Sequence, residues 1–272
     1  MKKFLTLVEI EFRNLIGIFI GIFVAMTGIS GLLFFSGASS ANQNAQRVMS
    51  QGGMSAAEFT AQNGYFTLTA VTNNILLYMV FIIFFFALVL ALSFWVWQRE
   101  WAGKSKGIYF LLSLRAPRLR ILATKLLIVV IGSWLFFGMI LINLGFGSLI
   151  MNIVMGNALV GSNLISSFLQ HAHWILSFAL PTSIVHLVFH SFFTIAVFSA
   201  MTAWVLLTKS FKWIGGIVGF VYCVATLVIY IITQTMWLFY DERIFVEWAF
   251  VLGSCIISFL LNWWLINKKI SV

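Results

Sequence analysis

The sequence predicts an all-α integral membrane protein with six transmembrane helices, and three observations predict it. Of 272 residues, 62% are hydrophobic and only 8% are charged, against roughly 25% charged in a soluble domain. The apolar residues fall into six runs, at 15–35, 73–98, 121–151, 182–207, 214–233 and 247–266. Lys and Arg gather in alternate connections, the pattern of a chain whose basic loops stay on the cytoplasmic side. The whole chain reads as a single transmembrane domain, with both termini cytoplasmic in a plasma membrane. The net charge of +9 follows from that bias and forms no basic stripe on a soluble domain, so nucleic acid is not an expected partner.

The elements follow in order. Residues 1–14 read as an amphipathic surface helix, with Phe4, Val8 and Phe12 at i+4 spacing and Glu9 able to pair with Arg13. The acids Glu9 and Glu11 and the length of the following run argue against a cleaved signal peptide. The first span carries Gly17 and Gly21, four apart, a spacing that lets another helix approach closely. Residues 36–72 are polar and read as an external loop, within which Ser55 and Glu58 have capping-box spacing before a short helix. The second span ends at Trp95 and Trp97, read as an aromatic belt. The third span is long enough to tilt or extend past the bilayer. Residues 163–180 read as an external interfacial helix ending at Pro181. The fourth and fifth spans are joined by a short inner loop carrying Lys209 and Lys212, and the fifth has a second close-approach pair, Gly215 and Gly219. Asp241, Glu242 and Arg243 lie outside, and Lys268 and Lys269 inside.

Several motifs are weighed and set aside. Gly103-Lys104-Ser105 resembles part of a phosphate loop, but Gln98 stands where the motif needs its first glycine, and no strand precedes it. His186 and His190 share a helix face as metal ligands would, but Leu187 occupies the place of a zincin glutamate and no acid lies in that span. An intramembrane hydrolase using this pair is the expectation from another class. Cys223 and Cys255 read as free thiols in apolar runs. Asn143, Asn152, Gln234 and Asn262 read as polar groups that join helices.

The segment 98–125 carries the sharpest signal. It holds seven of the 16 Lys and Arg and only one acid, Glu100. An apolar group from Ile108 to Leu114 lies between its charges, the composition of a helix lying in the interface. The order of Glu100, Gly107, Leu111-Leu112-Ser113, Pro117, Arg118 or Arg120, and Lys125 resembles the loop between the second and third spans of the permeases of type-2 ABC exporters, and the six-span layout is similar along the whole chain. Arg115-Ala116 departs from the apolar or small pair commoner before the proline. The resemblance implies that 98–125 is a cytoplasmic coupling helix, in which these residues, with Lys104 and Lys106, meet a separate ABC ATPase. It implies a dimer with a second copy or a related permease, and ATP and magnesium on the partner rather than on this chain. An enzyme is not expected here. The implied cargo is apolar or amphipathic, with a peptide or toxin favoured and an immunity or multidrug pump as the alternative.

Overall fold

The computed structural model describes residues 2–71, 75–102, 118–170, 181, 183–235 and 240–268. These form α1 (Lys2–Gly52), α2 (Ala56–Asn63), α3 (Leu68–Val71), α4 (Ile75–Ala102), α5 (Arg118–Met155), α6 (Leu164–Gln170), α7 (Ile184–Thr235) and α8 (Tyr240–Lys268). Among the described residues there is no strand, and the only β pairing is an isolated bridge between Phe66 and Val160. Five helices, α1, α4, α5, α7 and α8, are long and apolar enough to cross a membrane.

Two expected boundaries move. The surface helix, the first span and the first part of the expected 36–72 loop are one helix of 51 residues. Residues 36–52 are polar, but hold no proline and place Ala38 and Ala45 on the buried face begun by Phe34, so the helix runs on to Gly53, whose φ of 60° ends it in the left-handed region that glycine enters without cost. The inner loop expected at 208–213 is shorter, a two-residue turn between helical arms. Helical geometry lapses only at Phe211 and Lys212, the latter at φ 55° and ψ −132°, dividing α7 into arms 184–210 and 213–235. The capping box is present as expected: Ser55 N donates to Glu58 Oε2 at 2.7 Å and Glu58 N to Ser55 Oγ at 3.4 Å.

The chain forms two compact units. The first is Met1–Gly17, Ala87–Trp134 and Val185–Val272; the second is Ile18–Phe86 and Leu135–Ile184. In the second unit, Ser30 Oγ donates to Asn143 Oδ1 at 2.8 Å and Asn42 Nδ2 to the Val154 carbonyl at 2.9 Å. The nearly constant offset between partners means that α1 and α5 run parallel. They approach closely because Gly147 has no side chain, and a Cβ there would lie 2.7 Å from the Phe34 ring. Phe85 packs on Phe136 and Phe137 with centroids 5.7 and 5.9 Å away. Phe66 N donates to the Leu159 carbonyl at 2.9 Å, joining two connections, and Tyr78 packs against Phe168 of α6.

In the first unit the two arms of α7 form an antiparallel hairpin. Trp204 Nε1 donates to the Gly216 carbonyl at 3.0 Å, and Phe193 meets Tyr230 with centroids 5.3 Å apart. α8 runs parallel to the first arm, with Asn262 Nδ2 donating to the Ser199 carbonyl at 2.8 Å and Cys255 Sγ to that of Phe192 at 3.3 Å. It runs antiparallel to the second arm, where Tyr222 and Ser258 share a hydrogen bond of 2.6 Å. Asn143 and Asn262 therefore join helices as expected.

Candidate functional site

The two helices that bound 98–125 are fixed by a buried ion-pair cluster in the first unit. Glu11 of α1, with a side chain 4% exposed, accepts from Arg99 Nη2 at 2.7 Å and from Lys125 Nζ at 3.4 Å. Arg99 lies in the last turn of α4, and Lys125 lies two turns into α5. Lys125 has no exposed surface, and its ammonium also donates to the Val96 carbonyl at 2.9 Å. It sits 5.1 Å from the centroid of the Trp97 ring, within cation–π range. Trp97 in turn donates its indole N–H to Thr202 Oγ1 of α7 at 2.8 Å.

A buried lysine is tolerated only where charge and donors are met. Here a carboxylate, a carbonyl and a ring face meet them, and the carboxylate also holds Arg99. The result is a polar node that ties α1 to the helices on both sides of the basic segment and, through Trp97, to α7. Displacement of either flanking helix must strain this node.

Three expectations change at this place. Trp97 is not part of an interfacial belt: it is buried, while Trp95 is about half exposed. Glu9 and Arg13 are both exposed and form no ion pair among the described residues. The acid that matters is Glu11, whose role the sequence reading missed. The available signal was its register: Glu11, Leu15 and Phe19 are four apart and buried, the inward stripe of the helix.

Of the candidate residues in the segment, Lys125 is brought into the node. Glu100 lies in the last turn of α4, and Arg118 and Arg120 open α5, but their side chains lie outside the described residues, as do Lys104, Lys106, Gly107, Leu111, Leu112, Ser113 and Pro117 altogether. The glycine pairs behave differently from each other. A Cβ on Gly215 would overlap the Leu207 carbonyl, and one on Gly219 would lie 2.8 Å from the Trp204 Cα, so this pair makes the hairpin's close approach. Among the described residues nothing lies within 4 Å of a Cβ at Gly17 or Gly21.

His186 is exposed and His190 buried, so the two do not share one environment. Among the described residues no group of three or more His, Cys, Asp or Glu is placed to hold a metal. Cys223 and Cys255 are free and half-buried. Comparison with family models, with curated proteins and with solved structures returns no match.

Proposed function

We propose that this chain is the membrane-spanning subunit of an ATP-driven exporter of the type-2 ABC kind. In this reading α1, α4, α5, the two arms of α7, and α8 are six crossings, with both termini cytoplasmic. Segment 98–125, apart from the buried Lys125, docks on a separate ATPase that carries ATP and magnesium, and two permeases form the path for an amphipathic peptide or similar cargo. The observation that carries the reading is the Glu11 node. A segment that receives force from a partner needs both its flanking helices mechanically joined to the rest of the bundle, and Arg99 and Lys125 are held by one carboxylate. The parallel packing of α1 with α5, and of the first arm of α7 with α8, supports alternation of six crossings.

The test is recovery of an ATPase on the tagged chain from its native membrane, with turnover in nanodiscs beside it. Leu112→Ala should weaken recovery, since truncating a buried apolar anchor typically costs about 2 kcal/mol or more. Glu100→Ala should leave recovery intact and reduce cargo-linked hydrolysis, as rim charges act more on rate than on affinity. A version of 98–125 depleted of charge and leucine that still binds and drives the ATPase normally would refute the proposal.

A further inference from the structure

We propose that a groove on the first unit binds a single anionic phospholipid, with the headgroup phosphate at Lys209 and an acyl chain along the aromatic wall. The groove has a volume of about 460 Å³, within the roughly 300–1,000 Å³ of small-molecule sites. It needs only that these helices lie in a bilayer, and it does not rest on the exporter reading.

The groove is amphipathic from end to end. Its wall is built by Phe94 of α4 and by Trp213, Ile217 and Phe220 of the second arm of α7, all substantially exposed. An open apolar wall on a membrane helix meets acyl chains. Its floor is Gly216, where the missing side chain leaves depth. The polar end is formed by Gln98, Thr208 and Lys209. The Thr208 hydroxyl is already committed to the Trp204 carbonyl at 2.8 Å and the Trp204 indole N–H to that of Gly216 at 3.0 Å. Both are therefore scaffold, and recognition falls to Lys209 and Gln98. An ammonium has three donors, so a contact made elsewhere by Lys209 still leaves donors for a phosphate. Among the described residues no Asp or Glu lines the groove, and Lys212, three positions on, is exposed. A net-negative headgroup is complementary to that end. A choline headgroup would place its own cation beside two lysines.

The experiment is native mass spectrometry of the full chain in detergent, with equimolar phosphatidylglycerol and phosphatidylcholine of identical acyl chains. The wild type should retain a single phosphatidylglycerol in preference to phosphatidylcholine. Lys209→Gln should lower phosphatidylglycerol retention about tenfold, the loss of one charge-assisted hydrogen bond, and leave phosphatidylcholine unchanged. Gly216→Leu fills the floor without displacing backbone, because a Cβ there meets only Thr208 side-chain atoms at 3.6 and 3.8 Å. It should abolish retention of both lipids, and Ile217→Trp, on an exposed position, should do the same should Gly216→Leu not fold. Equal retention of the two lipids by the wild type, or unchanged phosphatidylglycerol in the filled variants, overturns the proposal, because the lipid would then be a non-specific annulus.

Discussion

Glu11 and Lys125 together make a case in which one substitution should do more harm than two. Removing the carboxylate leaves an ammonium with no exposed surface short of its counter-ion, and breaking a buried pair on one side typically costs about 3–5 kcal/mol. Replacing Glu11 and Lys125 with apolar residues removes the ammonium that has no exposed surface, and Arg99, which also loses this carboxylate, has a side chain 28% exposed. We therefore expect Glu11→Ala to lower the thermal midpoint in detergent markedly, and Glu11→Leu combined with Lys125→Met to recover most of the loss. Equal midpoints for the single and double variants would show that the charges are not what stabilises this place. Lys212 offers the opposite effect. Its φ of 55° costs a residue with a Cβ about 1–3 kcal/mol, so Lys212→Gly should raise the midpoint, whereas Lys212→Ala, which keeps the Cβ, should not.

At the scale of elements, the hairpin of α7 rests on Gly219 as closely as on any side chain. Gly219→Leu should separate the arms and unfold the first unit at lower temperature. A Cβ at Gly21 has no described atom within 4 Å, so Gly21→Leu should leave the midpoint unchanged; a shift in oligomer size with this variant would place the first helix at a subunit interface. The cap of α2 gives a pH dependence of known sign. Hydrogen bonds from the Ser55 backbone and then its hydroxyl hold Glu58 below its usual pKa of 4.5. A depressed folded pKa means stabilisation that is present above the unfolded value and lost as pH falls through the folded one. Amide exchange in 55–63, corrected for intrinsic rate, should therefore accelerate on acidification, and Glu58→Gln should remove the dependence. The cap was legible because its two residues are three apart in sequence. The end of α1 was not, because polarity in 36–52 reads as a loop, and only packing against another helix, as at Asn42 and Val154, reveals that it continues. Gly17 and Gly215 open identical spacings, and nothing local says which pair has a neighbour inside the chain. Glu9 and Glu11 likewise differ only in helix phase, which the partner helices fix.

For the whole molecule, the charge pattern predicts sidedness. With Cys223 and Cys255 replaced, cysteines at Gln62 and Ser162 should react with an impermeant thiol reagent in intact cells, while those at Lys104 and Lys209 should react only after lysis. Labelling at Lys104 from outside would reverse the orientation and remove the proposed ATPase contact with it. Composition made the membrane character plain; the alternation of charge counts six crossings, where five helices are long and apolar enough to span and the fourth of them is divided at Phe211 and Lys212. The node and the lipid groove depend on which helices are neighbours, and that choice is made by long-range contacts such as Trp97 with Thr202.

The bond from Asn262 to the Ser199 carbonyl spans 63 residues, and this has a consequence during synthesis. At about 5–20 residues per second, the first arm of α7 waits several seconds for the helix that covers its polar face. Through that interval the face of the arm at Phe192 and Ser199, whose carbonyls accept from Cys255 and Asn262 in the finished fold, faces lipid or the insertion machinery. A nascent chain stalled before α8 should therefore linger with its insertase and be cleared by membrane proteases, so that arrival of the last helix serves as the signal that the chain is fit for release.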